Sequence, residues 1–226
     1  MIKTIVFDIG NVLMKFDYMP YIRRLLKDDD VVYAVNGAIW RSGLWNELDR
    51  GGATEEIFAR MLAAEPAYRE EIRQVFQNVG QCMFPMDYAI PWIRELKERG
   101  YRVLYLSNYS RHTMEANPAV LDFLPYMDGG VFSCEVGSVK PEPAIYRALC
   151  DKYALDPGEC VFLDDFEANV AAARAFGMQG ILFTGYDPAR GALEALLPDG
   201  RDLLREMRRV ARECGGMMRA AEAEHI

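Results

Sequence analysis

A doubly wound α/β domain on a parallel sheet, carrying a helical insert, is the fold the sequence predicts. Three observations predict it. Short apolar runs bounded by turn residues recur along the chain. Amphipathic helical stretches separate the later runs, which is the alternation of α/β folds. Between the first two runs lies a long stretch with no strand of the core kind, although a parallel crossover needs only about a dozen residues.

The first run is TIVFDI at 4–9. Residues 17–85 follow, with helical pieces in YIRRLLK, VVYAVNGAIW, TEEIFARMLAAE and YREEIRQVFQNV. PWIRELKERGY has a proline near its start and stops at Gly100, the usual asymmetry of a helix. The next runs are RVLYLS at 102–107 and GGVFSC at 129–134. KPEPAIYRALCDKYAL sets Ile145, Leu149 and Tyr153 on one helical face. CVFLDD at 160–165 leads into EANVAAARAFGM, with Val170, Ala173 and Phe176 on one face and Gly177 closing it. GILFTG at 180–185 is the last run. Runs so short and rich in Val, Ile, Leu and Phe suit strands buried on both faces. The expected division is an α/β core of 1–16 and 86–226 and a helical cap of 17–85 placed as a lid over the strand ends.

Composition narrows the function. Half the residues are hydrophobic and the net charge is −8, which argues against a nucleic-acid partner. No apolar run approaches the ~18 residues of a membrane span, and no targeting pattern precedes the first strand, so a cytoplasmic protein is expected. Cys82, Cys134, Cys150, Cys160 and Cys214 show no metal-ligand spacing and read as buried, reduced thiols. From Arg201 to Cys214, Leu203, Leu204, Met207 and Val210 oppose Arg201, Arg205, Arg208 and Arg212. That pattern reads as a helix packed on the body with a solvated arginine face, a partner or membrane surface being the alternative.

In an open α/β sheet, ligands bind outside the carboxyl ends of the strands. There the first strand carries Asp8, the second Ser107 and Asn108, the third leads to Lys140, and the fourth carries Asp164 and Asp165. Each has an ordinary reading as a cap, a turn or a solvated charge. Together at one edge they describe a site. Three carboxylates converging on one point repel unless a cation is present, and hard oxygen ligands beside a phosphate suit Mg²⁺. A lysine, a hydroxyl and backbone amides suit the remaining phosphoryl oxygens, and an aspartate can attack phosphorus.

Asp8-Ile9-Gly10-Asn11-Val12, LSN at 106–108, Lys140 in GSVKPEPAIY and FLDDFEAN at 162–169 resemble, in order, the four motifs of the haloacid dehalogenase-like hydrolase superfamily. The helical stretch sits where its subfamily I carries a cap on a Rossmann-like core. The resemblance implies Asp8 as nucleophile and Mg²⁺ ligand, and the Gly10 backbone carbonyl as a second ligand. Asp165 with Asp164 would complete the metal site, and Ser107 and Asn108 would bind phosphoryl oxygens. Lys140 would offset the charge of nucleophile and phosphate. Asn169 would support the site from behind.

One departure stands out. Most phosphatases of that superfamily place a second aspartate, a general acid, two residues after the nucleophile; here Gly10 stands there. A missing acid is worth roughly 10²–10⁴ in rate for a poor leaving group. Three readings follow. One is a phosphatase of the DxGNV subset, resembling bacterial sugar-1-phosphate phosphatases, whose leaving group partly escapes the penalty. Another is a 2-haloacid dehalogenase, which needs no such acid. The last is a catalytically weak protein that keeps the fold for binding or regulation. Dehalogenases of the superfamily use no metal and lack the adjacent aspartate pair, so Asp164-Asp165 favours the phosphatase. A small phosphorylated metabolite is the expected partner. Arg23, Arg24, Arg41, Trp45 and Arg50 are the residues of the insert set to line its underside, although solvated arginines and packed tryptophans, Trp40 above all, are the ordinary reading. His112 reads as an exposed helix histidine and His225 as part of a frayed tail.

Overall fold

The computed structural model describes residues 1–197. Its strands are β1 Thr4–Phe7, β2 Met14–Phe16, β3 Met83–Pro85, β4 Arg102–Ser107, β5 Gly130–Phe132, β6 Cys160–Asp164 and β7 Gln179–Leu182. Five make one sheet, ordered β5-β4-β1-β6-β7, with every neighbouring pair parallel. The chain steps outward from β1 through β4 to β5, then returns to the other side of β1 for β6 and β7. This reversal opens a crevice at the carboxyl ends of β1 and β6, the place where open α/β sheets bind ligands.

Between β2 and β3 the chain is helical. It runs through α1 Tyr18–Leu26, α2 Asp29–Asn36, a π-helical turn Gly37–Arg41, α3 Leu44–Asp49, α4 Thr54–Ala64 and α5 Arg69–Gln77. Asp28 caps α2 by accepting from the N–H groups of Asp30 and Val31, relieving two donors that the first turn leaves open. Gly43, at φ +83°, separates the π turn from α3.

The remaining helices are α6 Ala89–Glu98, α7 Arg111–Ala116, α8 Ser133–Val136, α9 Pro143–Tyr153, α10 Glu167–Phe176 and α11 Tyr186–Leu196. β1 is buried at every position, and its alternating side chains enter opposite layers. Ile5 and Phe7 join α6, α11 and the helical insert in one apolar cluster. Val6 joins α9 and Ala173 of α10 in the other. Trp92 of α6 is buried edge-on against Phe7, ring centroids 4.8 Å apart. Trp92→Ala is expected to destabilise the protein by about 3–5 kcal/mol through the cavity it leaves, read as a lower midpoint in chemical denaturation.

The helices expected near 91–101, 140–155 and 167–178 are present, and Gly177, at φ +108°, closes α10. Three expectations need correction. The third run is a strand only over Gly130–Phe132, since Ser133 and Cys134 already belong to α8. The stretch from Val31 to Trp40 is two pieces, α2 and the π turn. The ends of the insert are tied by an antiparallel ladder of β2 with β3, which is too short to show an alternating pattern. Cys82, Cys134, Cys150 and Cys160 are buried free thiols, as expected. Cys214, His225 and the amphipathic stretch 201–214 lie outside the described residues. No helix among the described residues is long and apolar enough to cross a membrane.

Candidate active site

β1 delivers Asp8 to the crevice, and β6 delivers Asp164 beside it. Lys140, buried between them, places its Nζ 2.7 Å from Asp8 Oδ1 and 2.6 Å from Asp164 Oδ2. Asp8 Oδ1 also accepts from the Ile9 N–H at 2.7 Å. Both of its partners are thus on one oxygen, and among the described residues no hydrogen-bond donor reaches Oδ2. Asp164 is fully buried. Its oxygens accept four hydrogen bonds, from Lys140, the Phe166 N–H and, on both oxygens, the Asn169 side-chain amide, two on each oxygen.

Asp165, next along the chain, points into the cavity with one oxygen held by Asn11 Nδ2 at 3.0 Å. Asn11 is in the left-handed region, φ +57°, which asparagine tolerates better than most residues. Its Oδ1 accepts from the Phe16 N–H, so the tight turn after β1 braces the acid after β6. Asp8, Asp164 and Asp165 each offer an oxygen within 4.8 Å of the others.

The charges are unbalanced. Burial pushes the Asp8 carboxyl up to about 7 although Lys140 pulls it down, and Asp164 and Asp165 add to the rise. Asp165 is raised as well, by burial first and by Asp164 after it, against the Asn11 hydrogen bond. Burial alone would lower the Lys140 ammonium, but Asp8 and Asp164 more than reverse this and hold it above its ordinary value. Three carboxylates around one lysine, which pairs with Asp8 and Asp164, leave two negative charges uncompensated when fully ionised. The donor set is all oxygen, the choice of a hard divalent cation, so the residues fit a magnesium-type ion.

The cavity beyond Asp8 measures about 160 Å³, smaller than a drug-sized pocket. Asp8, Gly10, Asn11, Asp165, Asn108, Tyr109 and Thr113 wall it from the core, and Trp45 and Asp49 from the helical insert. Ser107, at the end of β4, and Lys140 lie buried behind this wall. Asn108 spends its amide on the Lys140 backbone, accepting from its N–H at 2.7 Å and donating to its carbonyl at 3.0 Å. Trp45 is held among Phe16, Trp40 and Phe76, and Trp40 stacks on Tyr18.

The arginines of the insert turn elsewhere. Arg23 pairs with Asp29, and Arg24 and Arg41 lie over Tyr21 and Tyr33. Arg50 forks onto Glu142, across to the core. His112 is not an exposed helix residue. It stacks on Phe76, centroids 3.9 Å apart, with Nε2 3.0 Å from the Phe76 carbonyl, and burial lowers its pKa.

Residues 2–177 match the model of the haloacid dehalogenase-like hydrolases. The chain belongs to that family. Over 209 residues it is 25% identical to the D-ribitol-5-phosphate phosphatase of Bacteroides thetaiotaomicron, covering 85% of this chain and 94% of that protein. It is 26% identical over 181 residues to the bifunctional epoxide hydrolase 2 of Sus scrofa, covering 67% of this chain. The match spans only 32% of that longer relative. Among solved structures it shares the fold of a haloacid dehalogenase-like enzyme of Bacteroides thetaiotaomicron in complex with magnesium and inorganic phosphate. The TM-score is 0.62 at 19% identity, over 83% of this chain and 98% of that one.

Within this haloacid dehalogenase-like site, four polar wall residues have no role in the sequence reading: Asn11, Asp49, Tyr109 and Thr113. An asparagine directly after a glycine in a tight turn was a readable sign of a left-handed residue. Asp49, Tyr109 and Thr113 had no such sign.

Proposed function

We propose that this hydrolase is a Mg²⁺-dependent phosphatase that cleaves small phosphomonoesters, sugar phosphates among them, through an aspartyl-phosphate on Asp8. The observation that carries the reading is the cluster of three carboxylates, Asp8 and Asp164 buried on a single lysine with the exposed Asp165 beside them, an arrangement a divalent cation would balance. Asp8, the Gly10 carbonyl, Asp165 and Asp164 would hold the ion, Asp164 by exchanging part of its hydrogen bonding for the cation. The metal would supply charge neutralisation at the phosphoryl oxygens.

The chain's own residues do the rest. Asp8 Oδ2 attacks phosphorus as the ester P–O bond breaks, giving an acyl phosphate and an alkoxide that must take up a proton, returned when water is deprotonated in the next step. Water then attacks the same phosphorus, releasing inorganic phosphate and regenerating the carboxylate. Lys140 keeps Asp8 Oδ1 turned away from the reaction and offsets phosphoryl charge from behind. Ser107 and Asn108 close the β4 side, where phosphoryl oxygens would lie, and Asn169 fixes Asp164. The small cavity and its wall from the insert favour a small metabolite, and the similarity to a sugar-alcohol phosphatase supports a phosphorylated polyol or sugar.

Gly10 is the one feature that favours the dehalogenase reading. Against it, a site without a cation has no use for two further acids beside an already crowded Asp8. The catalytically weak reading needs only a loss of rate, and the retained nucleophile, lysine and acids speak against it. Phosphate release should be measured from a panel of small phosphomonoesters, sugar 1-phosphates and polyol phosphates included, with Mg²⁺ and with EDTA. Chloride release from a 2-chloroacid is measured alongside. EDTA is expected to lower phosphate release by at least about 10²-fold, restored by Mg²⁺. Chloride release without phosphate release would select the dehalogenase, and neither would select the binding protein.

A further inference from the structure

The chain lacks an acid at Gly10, yet the same cavity contains another carboxyl. Asp49, the last residue of α3, is 5% exposed and lines the cavity with Asp8, Gly10 and Asp165. Among the described residues its carboxyl has no hydrogen-bond partner. Its position is fixed from both sides. The Ser133 hydroxyl donates to the Asp49 carbonyl, and Arg50 pairs with Glu142, two residues beyond Lys140. Gly51 follows at φ +87°, so close to the core that a Cβ there would meet the Cys134 carbonyl at 2.7 Å. This is where the helical insert is seated on the core, and it places Asp49 in the wall of the cavity that Asp8 also lines.

We propose that Asp49 is the general acid of this enzyme, standing in from the insert for the acid missing at Gly10. The inference rests on the phosphatase reading. The Asp49 carboxyl gives its proton to the ester oxygen as the Asp8 Oδ2–P bond forms and the P–O bond breaks. The resulting Asp49 carboxylate takes a proton from the water that hydrolyses the acyl phosphate, returning to its starting form. Burial raises Asp49 to about 7 although Lys140 pulls it down, so it is poised to give and take a proton near neutrality. Tyr109 beside it has a buried, unpartnered hydroxyl. Burial and the neighbouring Asp49 raise that phenol further above its ordinary value, which makes it the weaker donor.

The test compares a polyol phosphate, whose alkoxide is a poor leaving group, with p-nitrophenyl phosphate, whose leaving group needs no proton. Asp49→Asn is expected to slow the polyol ester by about 10²–10⁴ and the aryl ester by less than about tenfold. A Cβ at Gly10 would meet nothing within 4 Å, so Gly10→Asp can be added to Asp49→Asn. The double variant should recover a substantial part of the alkyl activity. Asp49→Ser repeats the comparison if the asparagine variant melts lower than the wild type. Equal losses on both esters, or no loss on either, overturn the assignment of Asp49 and leave the phosphatase reading standing. A wild type that hydrolyses neither ester overturns both.

Discussion

Asp8→Asn is expected to reduce phosphate release by more than about 10³-fold, a barrier increase above ~4 kcal/mol, with the fold intact. The amide oxygen is a poor nucleophile, and the amide cannot share charge with Lys140 and a cation. The fold should survive for a reason visible in the site. Burial already holds the Asp8 carboxyl near 7, well above the ordinary carboxylate value. A group raised in this way favours folding below its unfolded pKa, and that contribution is lost as pH rises through the folded value. In metal-free protein at pH 8 the charged Asp8 is therefore a burden, and Asp8→Asn should melt at or above the wild type. Thermal unfolding in EDTA reads this directly. A variant that keeps most of its activity would overturn the nucleophile assignment, and one that melts well below the wild type would overturn the electrostatic account.

Lys140→Met is expected to fail differently, losing both activity and stability. Among the described residues its ammonium is the one cation hydrogen-bonded to the buried Asp8 and Asp164, at 2.7 and 2.6 Å. Removing one partner of a buried ion pair typically costs about 3–5 kcal/mol, because the other charge is left unpaired. Here two carboxylates lose their partner together. Lys140→Arg should not restore function, since a planar guanidinium is bulkier than the point charge that fits between the two oxygens. Denaturant titration with and without Mg²⁺ separates the contributions. The ion should recover part of the lost stability by replacing the missing positive charge. It should not recover turnover, because the position of Asp8 Oδ1 depends on the lysine.

Much of this site is legible in the sequence because strand ends are legible. Asp8 and Asp164 follow apolar runs that can only be buried strands. Once the strands are parallel, their carboxyl ends meet by topology alone. Lys140 and Asp165 follow from the same placement. What the sequence hides is set by long-range contact. Asp49 is more than thirty residues from any core strand, in a helix too short to show a periodic face. Only the seating of the end of α3 on Ser133 and, through Arg50, on Glu142 brings it into the cavity that Asp8 lines. The cover over His112 is hidden from the sequence for the same reason, since the ring that stacks on it belongs to Phe76 of the insert. The β2–β3 ladder, three residues a side, is below the length at which alternation can be recognised. Asn11 differs from these, because its left-handed turn is a local property and was open to local reasoning.

The central claim is that phosphate passes through Asp8. It is tested most directly by acid-quenching the Mg²⁺-loaded enzyme during turnover of a ³²P-labelled polyol phosphate and mapping the labelled peptide. The label is expected on the N-terminal peptide, as an alkali-labile acyl phosphate at Asp8, and is expected to be missing from Asp8→Asn. Label recovered on any other residue, or equal labelling of the Asp8→Asn protein, would contradict the account.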